Sequence, residues 1–535
     1  MRNRGGAITT YASAAPSASP SNEGTTGVPD TSATYRNPVL DGDFSDPDVI
    51  RVGDDYWMIT STMHLSPGMT VLHSNDLITW SYAGHCVPDL RVLGPQYAAE
   101  SMSRFGRGIF AGSLRYHAGR YWVFFTTLDE GFFMTSATHP AGPWDPVHRI
   151  WDSRSWDDPC PLWDRDGHAW LVASHPDAAE WYTYLFPMSA DGRSIDHEAA
   201  TILDSWHTSE GNKIFRHDGR YFVLHNEVRA AGGRVAVIMR ADTLDGPWEK
   251  RVLVQGIGPD LEREPCQGAL VDNADGSWSL VTHHGRGGYP EGRPVSVLPV
   301  TWVRGWPVAN PDPDGVGRMA WTARAPLPGA ARSVLQRSDS FTAPDLGAQW
   351  QWNHAPHDGA WGLTGSGLRI DGRRMSTPGS LMHAPNTLSQ RSSARGGTAF
   401  VHLALGSLAD GAFAGLGHLS SAPSAILAHR VGGACRLEVW GAERTLGPAV
   451  DGGIWLRTDL DYRGFASFSY SADGQTYTAI GHSVPTVWSH YRGSRIALYS
   501  FSDEGGGHAL FSNFGHVVPN RDLPRQPDVP AAASD

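Results

Sequence analysis

Residues 36–57 read RNPVLDGDFSDPDVIRVGDDYW, and the order of residue types in this stretch decides the fold. Asp46 stands between Ser45 and Pro47, just ahead of the apolar pair Val49-Ile50. The chain then passes through Gly53-Asp54-Asp55 into Tyr56-Trp57. Proline cannot donate to a sheet ladder, valine and isoleucine favour the pleat, and Gly-Asp-Asp supplies turn conformers. The stretch is therefore expected to be loop, strand, tight turn, strand. A carboxylate at the entry to such a strand has its backbone held and its side chain free.

The same phrase returns four more times, at intervals of about 45–70 residues. Its turns are Ala118-Gly119-Arg120-Tyr121, Asp164-Arg165-Asp166-Gly167, His217-Asp218-Gly219-Arg220-Tyr221 and Ala274-Asp275-Gly276-Ser277-Trp278. A second phrase follows in several copies: Asn75-Asp76-Leu77-Ile78-Thr79-Trp80, Ala141-Gly142-Pro143-Trp144 and Asp245-Gly246-Pro247-Trp248. Each reads as the turn into an outer strand whose tryptophan packs between neighbouring sheets. Repeats of this size and content indicate a β-propeller, with five blades over residues 35–308. A β-sandwich with coincidental turns is the alternative, but a sandwich has no reason to repeat one phrase five times. In a propeller the inner strands surround one funnel, so side chains far apart in sequence converge there.

After Trp306 the grammar changes. Residues 309–337 are Pro/Gly-rich and read as a linker. Residues 338–519 carry alternating strands without the blade phrase, at 398–405, 435–440, 465–471 and 495–501. They are expected to form a β-sandwich of the concanavalin-like kind, so the whole chain is all-β. Trp350, Trp352 and Trp361 belong to its core or interface, with an independent polysaccharide-binding role as the alternative. Residues 1–34 and 520–535 read as disordered tails.

Composition narrows the function classes. The 535 residues include 21 Trp, 16 Tyr and 18 Phe, enough for large cores. A net charge of -12 without any basic cluster leaves no surface for nucleic acid. No apolar run is long enough to cross a membrane. Cys86, Cys160, Cys266 and Cys435 lie far apart, forming neither a metal motif nor a disulfide framework, and read as buried thiols. The first 34 residues lack the apolar segment of a secretory signal, which implies a cytoplasmic protein, or a secreted one if the start is misassigned. The only lysines, Lys213 and Lys250, look like codon bias.

The chemistry lies in three acids: Asp46 in SDPDVI, Asp158 in WDDPCPLWDRDG and Glu210 in HTSEGNKIFRHDG. They fall at the first inner strands of blades 1, 3 and 4, at equivalent places, so all three can face the funnel. Cleaving a glycosidic bond needs one protonated carboxyl to donate to the leaving oxygen and one carboxylate to activate water or attack directly. A third acid nearby can hold the donor protonated, since like charges in one pocket raise a pKa. Asp43 and Asp48 rival Asp46, and Asp157 rivals Asp158.

At these residues the chain resembles glycoside hydrolase family 43, five-bladed propeller enzymes that cleave β-xylosides and α-L-arabinofuranosides with inversion. The resemblance runs through NPVLDGDFSDPD, RGIFAGSLRYHAGRYW, the Asp-Pro of blade 3, the SEG of blade 4, and QGALVDNADGSW with GWPV in blade 5. It continues through LGAQWQWNHAPHDGAWGL and APNTLSQR, which look like the accessory sandwich of the xylosidase and arabinofuranosidase branches. It implies Asp46 as general base, Asp158 as pKa modulator and orienter, and Glu210 as general acid. Phe110 stands in Phe110-Ala111-Gly112 where the family usually shows Trp-Ala-Pro, so one wall of the sugar pocket is expected to differ. The doublet His283-His284 matches a funnel histidine, of which His283 is favoured, and Arg293 matches a sugar-contacting arginine.

The expectation is thus an exo-acting inverting glycosidase that releases terminal β-D-xylose or α-L-arabinofuranose from plant-type oligo- or polysaccharides. It needs no cofactor, although the resemblance allows a structural calcium in the funnel. An endo-arabinanase on the same fold and a non-catalytic carbohydrate-binding propeller are the alternatives. The polar loop 353–361, NHAPHDGAW, is expected to lie over the funnel mouth.

Overall fold

The computed structural model describes residues 34–177, 180–229, 233–256, 265–284, 292–324 and 334–520. Apart from Thr34 and Asn520, the two tails expected to be disordered lie outside the described residues.

Five four-stranded antiparallel sheets follow one another, each built from its own stretch of chain. Blade 1 comprises Asp48–Val52, Asp55–Thr60, Gly68–Ser74 and Ser81–Val87. The inner strands of blades 2 to 5 are Ser113–His117, Asp157–Trp163, Ser209–His217 and Pro265–Asp272. Blade 5 ends with Trp306–Ala309. The repeated turns join the first two strands of each blade. Gly53, Gly119, Gly167, Gly219 and Gly276 all have positive φ there, which explains the recurrent glycine.

The tryptophans of the second phrase fill the gaps between blades, as the sequence implies. Trp80 packs into the cluster shared by blades 5 and 1, Trp144 into that of blades 1 and 2, and Trp248 into that of blades 3 and 4. Among the described residues no blade mixes strands from the two ends of the propeller, so the ring is closed by other contacts. Val39 and Leu40 donate to Val295 O of blade 5, and the Asn37 amide both donates to and accepts from the Val297 backbone. Further out, Thr34–Arg36 pairs with Thr322–Arg324, so part of the segment read as a linker is a strand that clasps the start of the propeller.

The second unit is a sandwich of a seven-stranded and an eight-stranded sheet over one large core, with Trp350 and Trp352 buried and Trp361 packed against it. The edge strand of the eight-stranded sheet, Leu65–Ser66, belongs to blade 1 and pairs with Gln351–Asn353. Arg391 Nε donates to Asp43 O at 2.6 Å, Arg395 pairs with Asp41 at 2.6 Å, and Ala394 N donates to Asp41 O. These contacts involve backbone and buried charge, so the sandwich and the funnel wall form one structure.

Candidate active site

The inner strands of blades 3, 4 and 5 each carry a β-bulge at the same place. Two residues lie unpaired between Asp157 and Cys160, between Glu210 and Lys213, and between Cys266 and Ala269. The first bulged residue is Asp158, Gly211 or Gln267, all at positive φ, and Asp46 of blade 1 matches them with φ 54. Holding a non-glycine residue in this region costs about 1 kcal/mol or more, a strain tolerated where it aims a side chain. Asp46 and Asp158 therefore occupy equivalent positions, as expected. Glu210 does not: it stands one residue earlier, level with Asp157 and Cys266, because Gly211 takes the bulge.

Asp46 is buried, and Arg293 Nη1 donates to its Oδ1 at 3.0 Å while His283 Nε2 lies 3.6 Å from the same atom. Burial alone would raise its pKa. The close approach of His283 and the Arg293 charge outweigh that and hold the carboxyl well below the usual range. Of its rivals, Asp43 accepts from Arg293 N, and Asp48 accepts from Leu114 N at 2.6 Å and pairs with Arg115 at 2.9 Å. Both are held by wall contacts.

Asp158 is fully buried, accepting from Gly211 N at 2.6 Å through Oδ2 and from Gln267 Nε2 at 2.8 Å through Oδ1. It thus links blades 3, 4 and 5. Burial pushes its pKa up from the usual 3.8 to about 7, with Lys213 opposing and Glu210 adding. Glu210 is partly exposed and pairs with Arg234 at 2.8 Å. The Cys266 thiol lies 3.8 Å from Glu210 Oε1, and Arg234 donates to its Sγ at 2.9 Å. Cys266 stands on the inner strand of blade 5, which packs against those of blades 4 and 1, and it feels the charges of both Glu210 and Asp46. Asp157 accepts from Asp158 N at 3.0 Å, and burial with the Asp158 and Glu210 charges raises it well above the usual range.

The raised Asp158 has a consequence for stability. Its neutral form is favoured in the folded state, so ionisation between about pH 4 and pH 7 opposes folding, and the penalty is complete above pH 7. A displacement this large is worth on the order of 2–4 kcal/mol. In Asp158→Asn the Gln267 amide, whose Oε1 accepts no hydrogen bond among the described residues, can turn to accept from the new NH2 group. The variant is expected to melt above wild type at pH 8 and to lose that advantage towards pH 4, while its activity falls. Paired thermal melts at the two pH values test this.

Phe110 is half-buried at the start of blade 2, where its N–H donates to Thr126 O. The loop over this side of the funnel is not 353–361. His354 and Ala355 bond to His64 O and Tyr97 O, and Trp361 packs on Trp352 at 4.9 Å between ring centres. The sandwich segment that arrives is 488–492. Tyr491 lies with its ring 5.1 Å from the Arg293 guanidinium, and its carbonyl accepts from Ser45 Oγ at 3.3 Å. Its neighbour His490 and Tyr491 itself are both at positive φ, and Tyr491 is 52% exposed, a large aromatic surface beside Asp46. Nothing in the local sequence marks this loop, since only the fold brings it to the propeller.

A funnel calcium does not fit these residues. Lys213 is buried on the funnel floor with Nζ donating to Gly112 O at 2.9 Å and Ser113 Oγ at 3.1 Å, and Arg115 holds Asp48 beside it. The chain's own cations fill the acidic floor. Among the described residues, Asp204, His225 and Glu227 have ligand atoms within 4.8 Å of one another. Lys250 Nζ already lies 2.5 Å from Asp204 and 2.7 Å from Glu227, so that cluster too has its cation.

The chain matches Glycosyl hydrolases family 43 over residues 35–307 and the Beta xylosidase C-terminal Concanavalin A-like domain over residues 338–515. It belongs to glycosyl hydrolase family 43. A putative beta-xylosidase of Xylanibacter ruminicola is 37% identical over 62% of this chain and 61% of its own length. A beta-xylosidase of Formosa agariphila is 28% identical over 88% of both chains. An engineered GH43 enzyme of solved structure, described as displaying both endo-xylanase and exo-arabinofuranosidase activity, superposes with a TM-score of 0.81. It covers 91% of this chain and all of its own, at 25% identity.

Proposed function

We propose that this protein hydrolyses terminal β-D-xylosyl or α-L-arabinofuranosyl groups from the non-reducing ends of plant-type glycans, with inversion. The observation that carries this reading is the pair of carboxyls on blades 1 and 4, Asp46 with Arg293 and Glu210 with Arg234, flanking one funnel with the inner strand of blade 5 between them. Asp46, held ionised, takes the proton of a water as that water attacks the anomeric carbon. Glu210 gives a proton to the glycosidic oxygen as the bond to the sugar breaks. Asp158 orients the site through Gly211 and Gln267, and Arg293 and His283 fix Asp46 and border the sugar. Phe110 supplies an apolar wall.

Exo action is favoured over endo action by the 488–492 segment, since Tyr491 stands beside Asp46 where a through-going chain would continue. The choice between sugars rests on the shape of this pocket. Paired chromogenic β-xyloside and α-L-arabinofuranoside substrates test the reading, with turnover of at least one expected. Turnover of neither, alongside cleavage of internal bonds in arabinan, would replace it with the endo alternative.

A further inference from the structure

We propose that Lys213 is a positioning residue of the reaction, a built-in cation on the funnel floor that supplies the counter-charge for Asp158 where a bound metal would otherwise stand. Lys213 is the first paired residue after the bulge of blade 4, the place held by Asp48, Ser113, Cys160 and Ala269 in blades 1, 2, 3 and 5. Its side chain passes the neighbouring blade 3 and reaches the backbone and hydroxyl of blade 2, at Gly112 and Ser113. It is 2% exposed, so its charge is scarcely screened by water. Burying an ammonium costs several kcal/mol unless nearby charge compensates. Two neutral oxygen acceptors do not supply that compensation.

The compensation comes from the acids. Asp48 pairs with Arg115 on blade 2, Asp46 with Arg293, and Glu210 with Arg234. Asp158 has no ion pair among the described residues, yet both its oxygens accept N–H donors as a carboxylate would. Lys213 stands on the same inner strand two residues after Gly211, whose N–H bonds Asp158, and is the largest charge opposing the effect of burial on that acid. Asp157, beside it, has no ion pair among the described residues, and its pKa is pushed well up by burial and by its neighbours. Cys160 faces Arg115 and the Ile214 N–H, and Cys266 faces Arg234. Lys213 thus decides how far Asp158 ionises, and so sets the lower pH at which the site is competent.

The inference rests on the glycosidase reading for its kinetic arm and stands apart from it in its stability arm. Lys213→Met keeps the length and loses the charge. With the chromogenic glycoside that wild type turns over, the acidic limb of kcat/KM should move up by one pH unit or more. Activity below pH 6 should fall at least tenfold, with much of it regained at higher pH. Removing a cation raises an acid's pKa, so the opposite direction is excluded. An acidic limb that stays in place in the folded variant overturns the proposal, whereas an inactive wild type would instead overturn the proposed reaction. The second arm is thermal melting of Lys213→Met with and without Asp158→Asn at pH 8. Removing the unmatched acid should restore a large part of the lost stability, or folded protein if Lys213→Met alone fails to fold. Because Asp158→Asn is itself expected to stabilise wild type at pH 8, its gain must be larger in the Lys213→Met background than in wild type; an equal gain, or a double variant that also fails to fold, overturns the coupling. Dialysis of wild type against a chelator, followed by metal analysis and the same pH profile, should leave the profile unchanged. A profile that collapses and returns with added calcium would contradict the built-in cation.

Discussion

Glu210→Gln and Asp46→Asn are each expected to lower kcat/KM by about 10²–10⁴-fold on unactivated substrates while leaving the propeller folded. Each replacement preserves size and removes either the proton or the charge. The Asp46 variant also leaves Arg293 and His283 facing an amide where a carboxylate stood, so part of its loss comes from disturbed positioning. The two should differ by leaving group. Glu210→Gln should recover much of its rate with a good leaving group that needs no proton, and Asp46→Asn should not. Retention of more than about a tenth of wild-type kcat/KM, a loss under about 1.4 kcal/mol, would remove the residue from its assigned role. Steady-state kinetics with a graded series of aryl glycosides make the measurement.

The second large effect concerns the sandwich. A chain ending near residue 326 should give little soluble folded protein. The loss would expose Leu65–Ser66 as an unpaired edge and leave Asp41 and Asp43 without Arg395 and Arg391, within a few residues of Asp46. Tyr491 would go with it, uncovering Arg293. Expression, size-exclusion chromatography and activity of the truncated chain test this. A monodisperse propeller with wild-type kcat/KM would mean that the interface is dispensable.

The propeller was legible because its signals are local and repeated. A turn glycine at positive φ leaves the same mark in five places, and the tryptophan of the second phrase needs only its own blade and the one before it in the ring. The funnel acids were legible for a related reason, since Asp-Pro at a strand entry stands out from an apolar run. The position of Glu210 one residue off the common place was not, because bulges depend on pairing between strands. The partners of the acids were harder still. Arg234 comes from another strand of Glu210's own blade and Gln267 from a blade other than Asp158's, and single arginines and glutamines carry no periodic signal. The two lysines, which in sequence look like codon bias, are both engaged in the structure, Lys213 with Gly112 O and Ser113 Oγ and Lys250 with Asp204 and Glu227. The loop over the mouth is 488–492 and not the expected 353–361, because the contacts of Tyr491 with Arg293 and Ser45 depend on how the sandwich docks. Polar residues occur at both places, and the pairing of Gln351–Asn353 with Leu65–Ser66 that ties down the first of them joins segments far apart in sequence.

The central claim is a single displacement in which Asp46 activates water and Glu210 protonates the leaving oxygen. An inverting site needs about 6.5–9.5 Å between its carboxyls to admit that water, against about 5–5.5 Å for a retaining one. Asp46 and Glu210 sit on blades that are not neighbours, with the inner strand of blade 5 between them, which favours the wider separation. Proton NMR of the first sugar released from a β-xyloside tests this directly: the account predicts the α-anomer ahead of mutarotation, and initial appearance of the β-anomer would contradict it.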